Sequence, residues 1–223
     1  MFSEETLSRY FEFRGALEAV RVLRREIGFA HLVPLLVRLE AHHLRGEPFK
    51  KFPEPSCEKE RLSRRQVGQA ILLYQLLKGR YGQEQALAIA RKVVKASAIE
   101  FLSHLLPPLR RTDYETASHA ERDLEGQKLA HRVVNAEADV AVVGMERVDF
   151  TVKKCWFVEL TRAAGVPEMA GLFCAGDEGY FETRQPEIRY ERTTTLAQGG
   201  PCCDMKLHWI EPASSRPAAE GRI

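Results

Sequence analysis

The sequence predicts an α+β protein, a helical N-terminal half followed by an antiparallel sheet with covering helices. Two observations carry this. Apolar residues keep helical spacing through most of the first 132 positions, as at Leu17, Val20, Leu23 and Ile27. After that the period becomes two: Val148, Phe150 and Val152 alternate with Arg147, Asp149, Thr151 and Lys153. Helices first and strands later, with no internal repeat, suit segregated layers better than a parallel α/β sheet.

The first helical stretch, 3–45, is expected to break at Gly28, and Pro34 then falls in the early turns of the second helix or kinks it. Residues 46–60, GEPFKKFPEPSCEKE, hold three prolines and many charges and read as a linker. Ser63 and Gln66 have capping-box spacing and predict a helix near 64–79. A longer helix near 83–106 ends at Pro107-Pro108, and one more is expected around 115–132. Cys155 to Ala164 reads as a helix closed by Gly165 and Pro167, with short helical pieces over 168–183. Ile188, Tyr190, Arg192, Thr194 and Leu196 form one face of a strand, and Cys203, Met205, Leu207 and Trp209 one face of the last. The tail, 211–223, reads as disordered. The expected organisation is a helical extension and linker over 1–62, an α+β domain over 63–210, and the tail.

The chain has 223 residues, 44% hydrophobic and 29% charged, with a net charge of +2. That balance gives no reason to expect a nucleic-acid surface; the arginine clusters at 21–25 and 61–65 read as solvated helix faces. No apolar run approaches the ~20 residues of a membrane helix, and the first 15 residues are charged where a signal peptide is apolar. A cytoplasmic protein is expected, with its five cysteines as reduced thiols. A small-molecule substrate is the expected partner, with a homodimer through the N-terminal helices.

Chemistry-bearing residues gather in the C-terminal half. Arg192 lies on an apolar strand face, where a guanidinium needs an anion: an internal one such as Glu159 or Asp177, or a substrate carboxylate held bidentately. Cys155 stands where a strand gives way to a helix. Helix-start amides, Lys153 and Lys154 favour its thiolate, while Glu159 lies one turn along as a counter-charge or proton acceptor. Cys174 and Asp177 are three residues apart in LFCAGDE. In CCDM, alternation turns Cys203 toward the apolar face with Met205, and Cys202 and Asp204 away. An adjacent-cysteine disulfide is not expected on a regular strand.

The stretch FTVKKCWFVELTRAAGVPEMAGLFCAGDEGYFETRQPEIRYERTTTLAQGGPCCDMKL, with the upstream AILLYQLLKGRYGQEQALAIARKVV, resembles the L-2-amino-thiazoline-4-carboxylic acid hydrolase family over roughly 66–209. The closing R-T-x-T-x-x-x-G-x-x-x-C-D pattern is the most specific part. It is similar, too, to small-molecule-binding domains of the vinyl reductase-like type. The resemblance puts Cys155, Cys174, Asp177, Arg192, Thr193, Thr195, Cys203 and Asp204 at signature positions, while Met205 and Lys206 replace the family's usual phenylalanine and arginine. It implies a hydrolase that opens a small sulfur- and nitrogen-containing ring.

Such a reaction needs a nucleophile, a proton carrier and a cation for the substrate carboxylate. Cys155, Cys203, Asp204, Cys174 and Asp177 supply the first two, and Arg192, Thr193 and Glu159 are the substrate-binding candidates. The cofactor question stays open between none and a thiophilic ion such as zinc on Cys155, Cys174 and Cys203. Two other functions remain: a sensor-like binding module without turnover, and an enzyme of this fold acting on another carbon–sulfur or carbon–metal bond.

Overall fold

The computed structural model describes residues 4–210, with side chains from Phe13 onward. The expectation for the tail 211–223 lies outside the described residues. Helices α1 (Glu4–Ile27) and α2 (Phe29–Leu44) are separated by Gly28, whose φ of 73° favours glycine. Helices α3 (Glu58–Tyr81) and α4 (Gln83–Leu105) meet at Gly82. The short α5 (Thr112–Glu115) and α6 (His119–Arg132) precede the sheet, and Ser118 with Glu121 forms the capping box of α6.

α3 starts six residues before the expected helix. Its N-cap is Cys57, and Ser63 is buried mid-helix with its hydroxyl donating to the Lys59 carbonyl at 2.7 Å. The Glu58–Arg61 and Glu60–Arg64 pairs, one turn apart, carry the helix back into the charged segment that read as linker.

Leu23, Ile27 and Leu32 share one buried cluster with Val67, Ile71, Tyr74, Trp156 and Leu160. The N-terminal helices therefore pack into the same core as α3, α4 and the helical segment Trp156–Ala163.

The sheet is antiparallel in the order β1-β2-β4-β3, built from β1 (Ala136–Val143), β2 (Arg147–Cys155), β3 (Ile188–Arg192) and β4 (Cys203–Trp209). The sequence reading missed β1, whose AEADVAVV mixes alanines and acids among its valines and so has weak strand propensity. Helix α7 (Trp156–Ala163) follows β2 directly. The expected short pieces after it are one helix, α8 (Ala170–Arg184), led by a 3₁₀ turn at Pro167–Met169.

α8 crosses α4 closely: a Cβ on Gly176 would stand 2.4 Å from Ala98 Cβ. Val148, Phe150, Ile188 and Leu207 line the inner sheet face against Tyr180 and Phe181 of α8. Among the described residues, no helix is long and apolar enough to cross a membrane.

Candidate active site

One extra residue decides where Cys155 points. β1 and β2 pair as Ala136 with Cys155, Glu137 with Lys154, then Ala138 with Val152, so Lys153 has no partner of its own. Strict alternation from Val152 would turn Cys155 to the outer face; the bulge restores it to the inner one. There it packs against the small cluster of Ala136, Val152 and Cys203. It is also the N-cap of α7. The N–H groups of Phe157 and Val158 favour its thiolate without closing a capping hydrogen bond.

Cys203 reaches the same cluster from β4, where it pairs with Val152. Its sulfur accepts the Leu196 N–H at 3.3 Å. Cys174 and Asp177 come from α8, one turn apart. Arg192 closes β3 opposite Met205, and its Nη1 donates to Tyr190 Oη at 2.8 Å and to the Cys174 carbonyl at 3.3 Å. The same Nη1 lies 3.8 Å from Asp177 Oδ2. Of the two internal anions weighed for Arg192, the structure supplies Asp177. Among the described residues, the polar contacts of Arg192 all run through Nη1, and a cavity of about 380 Å³ lined by Glu178, Tyr190, Arg192 and Thr193 opens beside it.

Burial dominates the electrostatics. It pushes the Cys155 thiol up to about 11 and the Cys174 thiol up to about 12, and raises that of Cys203. The depressed Cys155 pKa that the helix start and two lysines suggested is not found. Desolvation outweighs the amides, and the lysines point elsewhere: Lys153 pairs with Asp139 and Lys154 covers the Trp156 ring. Desolvation also raises the Asp177 carboxyl to about 6, against the pull of Arg192. Its side chain keeps 38% of its surface accessible, and that solvent contact limits the effect. Asp177 acts on the titration of all three thiols, so one carboxylate is electrostatically common to the cluster.

The remaining candidates lie elsewhere. Asp204 faces away from the thiols. It accepts the N–H groups of Thr193 and Thr194 at 2.9 and 2.6 Å and the Thr193 hydroxyl. The expected strand through Leu196 therefore stops at Arg192: Asp204 takes the amides that would continue it, and Thr195 caps a 3₁₀ turn at Leu196–Gln198 instead. Glu159 is turned to Lys154 at 3.8 Å, outside the cluster.

Tyr190 is the member that sequence reasoning placed on the right face but did not count as a site residue. Its phenol holds Arg192, and its ring stacks on Phe181 with centroids 5.6 Å apart. All five cysteines are free thiols. Among the described residues, no group of three or more His, Cys, Asp or Glu side chains is arranged to hold a metal ion, so the zinc set of Cys155, Cys174 and Cys203 is not assembled as one.

The profile of the L-2-amino-thiazoline-4-carboxylic acid hydrolase family matches residues 60–207. The chain belongs to that family. The match runs from the first turn of α3 to the last strand, so it takes in every member of the thiol cluster and leaves out α1, α2 and the segment before α3. No curated protein and no solved structure matches the chain significantly.

Proposed function

We propose that this family member is a hydrolase that opens a small sulfur/nitrogen heterocycle of the 2-amino-thiazoline-carboxylate type by cysteine and carboxylate chemistry. The observation that carries the reading is Arg192, whose Nη1 lies 3.8 Å from Asp177 and donates to the Cys174 carbonyl at 3.3 Å, near the packed pair Cys155 and Cys203.

In this reading, Nε and Nη2 of Arg192 take the substrate carboxylate while Nη1 stays fixed by Tyr190. Asp177, raised to about 6, is ionised at neutral pH yet ready to accept a proton, and it takes the Cys155 thiol proton as sulfur attacks the amidine carbon. The carbon–sulfur bond of the ring breaks, and the released thiolate takes up that proton. Water then adds to the isothiourea carbon and expels Cys155, leaving an N-carbamoyl-cysteine product. Overall one water is consumed, and the enzyme returns unchanged.

The raised thiol values favour one competing reading, a module that binds such ligands without turnover. Incubation with 2-amino-thiazoline-4-carboxylate separates the two, with product followed by mass spectrometry and thiol release. Multiple turnovers, lost in both Cys155→Ser and Asp177→Asn, support the hydrolase. Stoichiometric binding without product, or turnover undiminished in both variants, overturns it.

A further inference from the structure

Two charged side chains beside Cys155 take no part in the thiol cluster. Lys154 Nζ lies 4.7 Å from the Trp156 ring centroid and 3.8 Å from Glu159 Oε2. Lys154, Trp156 and Glu159 line a second cavity, of about 450 Å³, whose other wall includes Lys51, Phe52, Glu60 and Arg64. That volume falls within the ~300–1,000 Å³ of small-molecule sites. Lys51 and Phe52 precede the segment that matches the family, so part of this wall belongs to the chain's own N-terminal portion.

The charges there are not equivalent. Arg64 is fully engaged, with Nε on Glu60 at 3.0 Å, Nη2 on the same oxygen and Nη1 on the Pro53 carbonyl at 2.7 Å. Glu60 also accepts the Ser56 N–H and hydroxyl at 2.9 and 2.6 Å. The Ser56 bonds first, and Arg64 after them, hold its carboxyl down to about 2, so it stays ionised. Glu60 and Arg64 thus form a fixed, neutral frame. Lys51 makes no ion pair among the described residues, and Lys154 is matched only by Glu159, at 3.8 Å and half exposed. One unbalanced positive charge is left beside the Phe52 ring, with Trp156 buried beneath Lys154.

We propose that this cavity binds a small planar anion, an aromatic or heteroaromatic carboxylate. Its ring rests against Phe52 and against the Lys154 side chain that covers Trp156, and its carboxylate lies between Lys51 and Lys154. A flat ring suits the Phe52 face, and two ammonium groups supply donors without requiring a bidentate fork. Because Trp156 follows Cys155 directly, occupancy here reports on the first turn of α7.

Nicotinate serves as the probe, with nicotinamide as its neutral isostere, and Trp156 emission as the readout. Nicotinate is expected to quench saturably and to bind at least about tenfold more tightly than nicotinamide, a difference of 1.4 kcal/mol at ~25 °C. Lys51→Glu and Lys154→Gln are each expected to weaken it about fivefold or more. Glu159→Gln is expected to tighten it, because it frees Lys154; a general loosening of the fold has no such effect. Arg192→Gln is expected to leave the affinity unchanged, which separates this cavity from the thiol site whatever becomes of the hydrolase reading. Equal binding of nicotinamide, loss in Arg192→Gln rather than Lys154→Gln, quenching that persists in Trp156→Phe, or no saturable quenching at all would each overturn the proposal.

Discussion

The Asp177 carboxylate stands 3.8 Å from the Arg192 guanidinium, yet its pKa is raised to about 6, because burial outweighs that attraction. Asp177 therefore holds its proton to a higher pH than an ordinary aspartate does, despite the neighbouring cation.

The pH dependence follows from the sign of this shift. An ordinary aspartate titrates near 3.8, so between roughly pH 4 and 6 the folded protein holds a proton at Asp177 that the unfolded chain has lost. This group's contribution to stability falls as pH rises through that window. Asp177→Asn mimics the protonated form. Thermal melts are expected to show the variant close to wild type at pH 4 and at least as stable at pH 7. A uniform loss of melting temperature at every pH would contradict this.

Thiol reactivity is expected to be slow in the core at neutral pH. With Cys155 near 11, its iodoacetamide rate is expected to climb steadily from pH 8 to 10 without levelling off. Iodoacetate carries the charge that Arg192 attracts. The iodoacetate-to-iodoacetamide ratio at Cys155 is expected to fall severalfold in Arg192→Gln and less in Tyr190→Phe. Peptide mapping by mass spectrometry gives both ratios, and an unchanged ratio in Arg192→Gln would remove Arg192 from the site.

Asp204 makes the opposite contribution to that of Asp177. Hydrogen bonding from Thr193, chiefly from its side chain, lowers its carboxyl, so its stabilisation is present above the usual carboxylate range and fades as pH falls through the lowered value. Asp204→Ala leaves the Thr193 and Thr194 amides to water and is expected to cost about 1–2 kcal/mol at pH 7, and less at pH 3. Urea unfolding at the two pH values checks it.

The α4–α8 crossing sets the position of Cys174 and Asp177. Gly176→Ala drives a Cβ to 2.4 Å from Ala98 Cβ, an overpacking expected to cost about 1–3 kcal/mol. Ala98→Gly in the same chain is expected to recover most of that loss. A single variant as stable as wild type would mean that the two helices are not in the contact described.

The periodicities of the sequence suffice for the α+β class, the helix break at Gly28, β2 and the shared face of Tyr190 and Arg192. The family resemblance and the residues together point to Cys155, Cys174, Asp177 and Arg192 as neighbours. Other features depend on partners distant in sequence. β1 is specified by pairing with β2 rather than by its own alanines. The end of β3 is set by a carboxylate eleven residues away, Asp204 on Thr193. The thiol pKa values follow from burial that alternation alone does not measure, and the direction of the two lysines from Asp139 and Trp156.

Lys153, which has no opposite residue in the β1–β2 ladder, bears on how this site is matched to other chains. It works as a parity switch: one inserted residue, at the cost of a local break in the ladder, exchanges which side of the sheet the strand's last side chain serves. Deleting Lys153 would leave composition, charge pattern and helix start almost intact, yet would send the cysteine to the outer side, away from Asp177. A relative with one residue fewer between strand and helix would need its thiol one step out of phase to reach the same side of the sheet. Aligning cysteine to cysteine is therefore not enough to transfer the site; the count of residues across the bulge must be kept as well.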